Sequence, residues 1–225
     1  MTEKTRNRKH RIGVLGGTFD PIHFAHLRLA EEVKEHFSLD EIRLIPSANP
    51  PHRGTPGANP EHRFAMTKLA VKNHPGLVAD RRELDRSGKS FMVDTLAELR
   101  GQFSEASILL ILGTDAFLEL TTWHQWRDLF TFAHIVVASR PTNPLSKLAS
   151  QLPTELLEEY QTRRTDDVDV LDKEMFGQIF GYNFTSLEVS GTALRERVVS
   201  GKSLKYLLPD DVLDYIGKNK LYKGD

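Results

Sequence analysis

The sequence predicts an α/β fold, a doubly wound and mainly parallel sheet with helices on both faces and a small C-terminal helical appendage. Three observations carry this. Short β-type runs alternate with runs of helical periodicity from Arg11 to Ala138. Residues 108–112 are continuously aliphatic, the pattern of a strand covered on both faces of a parallel sheet. The first strand passes through a glycine turn straight into a helix, the opening unit of such folds.

In chain order, residues 11–15 form the first strand, and Leu27, Ala30, Val33 and Phe37, three or four apart, mark the apolar stripe of the next helix. Residues 41–46 read as the second strand. Residues 47–60 are so rich in Pro, Gly and Asn that they form a loop, and long loops in compact domains are often binding loops or lids. A helix over 61–73 turns Phe64, Ala65, Leu69 and Ala70 inward. A further strand is expected within 77–84, then a helix over 91–100 with Leu96 and Leu99 inward. Strand 108–112 ends in Gly113-Thr114-Asp115, and open α/β sheets bind ligands at strand C-termini. A short helix over 116–120 precedes the buried strand 134–138. From 142 to 173 the chain is more polar, with an acidic run at 166–169 and a helix over 154–163. The last strand falls within 180–189. Ser190 caps a helix over 192–199 that Gly201 ends, and Pro209 starts a final helix over 210–218. The whole is Rossmann-like, with 1–11 as a basic N-terminal tail and 12–225 as one domain.

Gly16 to Leu27, GGTFDPIHFAHL, is the stretch the rest serves. The first turn of a helix leaves backbone N–H groups unpaired and carries positive partial charge, which suits a phosphate. Gly16 and Gly17 remove side chains where a ligand must approach and permit positive φ at the turn. His23 and His26 lie three apart on the first turns, so both imidazoles are expected to face the crevice. The glycines match neither GxGxxG nor GxxxxGK[ST].

Composition narrows the function. A chain of 225 residues, 39% hydrophobic and 27% charged, is an ordinary globular protein. A net charge of −1 gives no general nucleic-acid footprint. The absence of cysteine excludes disulfides, thiolate metal sites and a cysteine nucleophile. No apolar run is long enough to span a bilayer and the basic N-terminus is not followed by a signal-peptide core, so a cytoplasmic protein without a membrane partner is expected. A homo-oligomer is left open.

GGTFDPIHFAH resembles the signature of the nucleotidylyltransferase superfamily, whose (T/H)xGH element positions the phosphates of a nucleoside triphosphate; Ala25 stands where that family usually has glycine. Pro50-Pro51-His52-Arg53, Arg82-Glu83-Leu84, Asp94-Thr95-Leu96, Gly113-Thr114-Asp115, Thr122-Trp123, Ser139-Arg140-Pro141, Ser190-Gly191-Thr192-Ala193-Leu194-Arg195 and Leu208-Pro209-Asp210 follow in the order seen in the bacterial nicotinate-nucleotide adenylyltransferase family. The resemblance spans essentially Ile12 to Tyr222.

The resemblance implies adenylyl transfer from ATP to nicotinate mononucleotide, giving deamido-NAD and pyrophosphate in NAD biosynthesis, with Mg2+ carried mainly by ATP and no protein metal site. It implies His23, His26 and Arg195 as catalytic. Gly16, Gly17, Thr18, Phe19, His52, Arg53, Ser190 and Thr192 would bind ATP or phosphate, and Phe91, Met92, Asp115 and Trp123 the pyridine nucleotide. Trp123 would lie against the cationic pyridine ring, and Asp115 would meet ribose hydroxyls or cap a helix. Relatives commonly have Tyr-Thr where Phe91-Met92 stands, and many have Ser or Ala at Gly191. The alternatives are a sister transferase acting on nicotinamide mononucleotide or another phosphorylated small molecule such as phosphopantetheine, a nucleotide-binding sensor without turnover, and a metal hydrolase using Asp20, His23 and His26.

Overall fold

Six parallel strands make one sheet in the computed structural model, which describes residues 8–49, 56–140 and 145–223. They are β1 (Arg11–Gly17), β2 (Glu41–Pro46), β3 (Leu77–Ala79), β4 (Ser107–Gly113), β5 (His134–Ser139) and β6 (Ile179–Asn183), in the spatial order β3-β2-β1-β4-β5-β6. The order grows outward from β1 in both directions, so the switch point lies between β1 and β4. There the register opens a crevice. β1 stays paired with β2 to its last residue, Gly17 with Pro46, whereas its pairing with β4 stops at Val14 and Leu110.

Side-chain alternation sorts the strands onto two apolar layers. On one face Leu109, Ile111, Val136 and Ala138 join residues of α1 (Phe24–His36), α2 (Pro60–Val71), α8 (Gly191–Val199) and α9 (Asp210–Lys218). On the other, Ile108, Leu110, Leu112, Ile135 and Val137 meet α4 (Met92–Gln102), α5 (Thr114–Leu118), α6 (Leu129–Phe132) and α7 (Thr154–Arg163). The aliphatic run of β4 is buried along its length, as expected, and each such side chain contributes about 1.5–3 kcal/mol by leaving water. Both C-terminal helices bury residues, Leu194 on α8 and Val212 and Ile216 on α9, in the same layer as α1 and α2, so they are built into the core more deeply than an appendage.

Several expectations need correction. The strand expected within 77–84 is β3 followed by the one-turn α3 (Arg82–Asp85), because the Asp80 carboxylate accepts from the Arg82 N–H and starts a turn. The fully buried face of α2 is Arg63, Met66, Thr67 and Val71, while Phe64, Ala65, Leu69 and Ala70 are only half-buried. The last strand stops at Asn183. The glycine turn is absent too, since Gly16 and Gly17 are the last residues of β1 and neither has positive φ. Instead Phe19 takes it, at 47°. Arg11, where tail and strand meet, is the buried first residue of β1 and pairs with Asp172 at 2.8 Å.

Candidate active site

The crevice is walled on one side by the start of α1. His23 is the N-cap and His26 the third helical residue, and their rings stack with centroids 3.8 Å apart. Only His26 is half-exposed; His23 is 4% exposed and stands behind it, so the two imidazoles do not share the crevice equally. Burial holds the His23 pKa down to about 4, with the Arg140 charge adding to the effect, so this ring is neutral at pH 7. The His23 backbone N–H donates to His26 Nδ1 at 3.4 Å. In neutral His26 the ring proton therefore sits on Nε2, which makes that atom a donor.

Phe19 supports this pair from beneath. Its ring is buried, meets His26 edge-on at 5.0 Å, and lies 2.9 Å from where a Cβ on Gly17 would stand. Phe19 thus has a backbone, not a ring, to offer a nucleotide. A Cβ on Gly16 would come within 2.6 Å of Met92 Cε, so the glycine leaves the space that Met92 occupies over the end of β1. These glycines serve close approach rather than backbone freedom.

Arg195 is tied to the same segment from α8. Ser190 caps α8 by accepting from the Ala193 N–H at 3.2 Å, and Arg195, on the second turn, donates from Nη1 to the Asp20 carbonyl at 2.7 Å and from Nη2 to Thr192 Oγ1 at 3.2 Å. Asp20 follows Phe19, so His26 and Arg195 are held at one place by consecutive residues of the segment after β1. At Gly191 a Cβ would lie 2.8 Å from the Asp20 carbonyl, which explains glycine there in this chain.

On the β4 side, Phe91 is the N-cap of α4 and its ring lies 4.4 Å from that of His124. Trp123 follows a 3-10 turn at Leu120–Thr122 and is half-buried against the second apolar layer; the fully packed core tryptophan is Trp126. Asp115 is exposed in the first turn of α5, whose N-cap is Gly113, so the capping alternative for Asp115 falls away. His52 and Arg53 lie outside the described residues.

Two residues take structural roles that the sequence did not predict. Asp20 is buried, with its carboxylate accepting from the N–H groups of Gly57 and Ala58 and from the Tyr222 hydroxyl at 2.7–3.1 Å. Arg63 is fully buried and donates to the carbonyls of Ala58, Thr18 and Ala48 at 2.7–3.2 Å. The Asp-Pro of the motif was the available signal for the first; Arg63 had none, since an arginine on an amphipathic helix reads as solvated. Among the described residues no group of three or more His, Asp or Glu side chains is placed to hold a metal ion, and no helix is long and apolar enough to cross a membrane. The arrangement offers imidazole and guanidinium donors held by neighbouring residues of one segment, which suits anionic oxygens.

Comparison with known proteins agrees with this chemistry. The cytidylyltransferase-like family matches residues 14–197. A protein of Acidithiobacillus ferrooxidans named "Probable nicotinate-nucleotide adenylyltransferase" is 42% identical over 94% of this chain and 95% of its own length. One of the same name from Dechloromonas aromatica is 43% identical over 95% and 98%. Among solved structures, Plasmodium falciparum nicotinic acid mononucleotide adenylyltransferase complexed with NaAD shares the fold with a TM-score of 0.71 at 16% identity, covering 95% of this chain and 97% of that one.

Proposed function

Because this chain belongs to the cytidylyltransferase-like family and, within it, to the nicotinate-nucleotide adenylyltransferases, it transfers the adenylyl group of ATP to nicotinate mononucleotide, and we propose that it does so between His26 and Arg195. The products are deamido-NAD and pyrophosphate. The observation that carries the placement is the convergence of His26, through Phe19, and Arg195, through Asp20, at the end of β1 beside the switch point.

The phosphate oxygen of the mononucleotide that attacks the α-phosphorus is already ionised at neutral pH, so the reaction needs no protein nucleophile. Alignment and stabilisation of charge carry it. In this reading His26 donates from Nε2 to a non-bridging oxygen of the reacting phosphate, where charge grows in the transition state. His23, neutral and stacked behind, holds the outer ring in its tautomer through its backbone N–H. Arg195 draws on the outgoing pyrophosphate with Ser190 and Thr192 beside it, and Gly16, Gly17, Thr18 and the Phe19 backbone line the nucleotide path. Magnesium enters with ATP as part of the substrate, neutralising phosphate charge.

For the second substrate, Asp115 accepts from ribose hydroxyls and Trp123 covers the pyridine ring. Met92 lacks a polar side chain, which leaves backbone N–H groups at the start of α4 to meet the carboxylate. Trp123→Ala is expected to raise the KM for nicotinate mononucleotide about tenfold, the weight of one cation–π contact plus lost packing, with the KM for ATP within about twofold. Steady-state kinetics with each substrate varied in turn checks this. An equal rise for both would make Trp123 a structural residue.

A further inference from the structure

Asp20 is where four distant parts of the chain meet. Its Oδ2 accepts from the Gly57 N–H at 2.7 Å, and its Oδ1 accepts from the Ala58 N–H at 3.1 Å and from the Tyr222 hydroxyl at 2.7 Å. Arg195 Nη1 reaches the Asp20 carbonyl at 2.7 Å and stands 3.4 Å from Oδ2. The carboxylate is 5% exposed, whereas the guanidinium is 32% exposed, so the acid is enclosed and the base faces outward.

The packing leaves no slack. A Cβ at Gly57 would lie 2.9 Å from Arg195 Cδ and 3.1 Å from the Tyr222 ring. One at Gly191 would lie 3.4 Å from Arg195 Nη1 as well as against the Asp20 carbonyl. Neither glycine has positive φ, so both are small because the side chains beside them are fixed. Tyr222 itself sits at a φ of 62°, an uncommon conformation for a bulky residue, which the surrounding contacts must hold. No described contact of the Tyr222 hydroxyl other than Asp20 accounts for that placement.

We propose that Tyr222 and Asp20 form a latch that positions Arg195, making the turn that follows α9 a working part of the active site. The hydroxyl fixes one carboxylate oxygen, the amides of Gly57 and Ala58 fix the rest, and the segment so oriented presents the carbonyl that holds the guanidinium. Tyr222 is a positioning residue here: it acts on substrate only through Arg195. The inference rests on the reading of Arg195 as a phosphate-binding group in adenylyl transfer.

The test is steady-state pyrophosphate release by the full chain and its Tyr222→Phe, Arg195→Lys and doubly substituted variants, with thermal melting of each. Tyr222→Phe is expected to lower kcat about tenfold with both KM values within about twofold, since small displacements of a positioning group act on the transition state. In the Arg195→Lys background the same change should cost less than about twofold, because the latch then has no guanidinium to aim. Gly57→Ala, whose added Cβ would crowd both Arg195 Cδ and the Tyr222 ring, disturbs the latch while keeping both of its side chains and should lower kcat by a similar factor. Wild-type kcat in Tyr222→Phe, or an undiminished tenfold loss in the Arg195→Lys background, would overturn the latch. Should Tyr222→Phe fail to fold, wild-type kcat in Gly57→Ala overturns it in its place. A wild-type chain that releases no pyrophosphate would instead remove the reading of the reaction itself.

Discussion

His26→Ala should lower kcat for pyrophosphate release by about 10²–10³-fold, the cost of removing one donor aimed at developing charge, while its melting temperature stays within a few degrees of wild type. The expected split follows from the position of the ring. His26 is half-exposed, its described contacts include the stacked His23 ring and the edge of Phe19, and its Nδ1 accepts one long bond from the helix cap. Losing such a cap costs about 1 kcal/mol. Chemistry should suffer far more than folding. Turnover measured at saturating ATP and nicotinate mononucleotide, beside a thermal melt, separates the two; near-wild-type turnover would remove His26 from the mechanism.

Arg63→Leu should do the reverse and act first on stability, by about 3–5 kcal/mol, the range for removing one partner of a buried charged network. The substitution leaves the carbonyls of Thr18, Ala48 and Ala58 without their guanidinium donor, around a side chain that is itself fully buried. It also strips the nearby Asp20 carboxylate of a neighbouring positive charge. At roughly 2–4 °C per kcal/mol for a chain of this size, the melting temperature should drop by on the order of 10 °C. An unchanged melt would mean that water or another group replaces the guanidinium. Because Arg63 ties the residue after β1 to both ends of the loop between β2 and α2, activity below the melt should fall as well.

The contrast between these two residues shows where sequence reasoning succeeds. His26 announces itself because a helix start, two glycines and a histidine pair fall in one short window, and each is a local signal. The strands β1, β2, β4 and β5, the bounds of α7 and α9, and the Ser190 cap were legible for the same reason. Arg63 was not, since its acceptors lie in loops outside its own helix, one of them 45 residues away, and an arginine followed by Phe64 and Ala65 looks like the wet side of a helix. The error in the inner face of α2 has that single cause. Tyr222 and Asp20 are 202 residues apart, a pairing no periodicity encodes. The unequal exposure of His23 and His26 depends on how their stacked rings are packed in three dimensions, and the positive φ moved from the glycines to Phe19 because the strand continues through Gly17.

The most direct measurement is pyrophosphate release from magnesium-ATP with nicotinate mononucleotide and nicotinamide mononucleotide offered in parallel. Release with the nicotinate substrate, at a kcat/KM at least about tenfold above that with the amide, is the predicted result; a charged carboxylate met by backbone donors near Met92 supplies a difference of that order. Preference for the amide, or no release with the acid, would contradict the account.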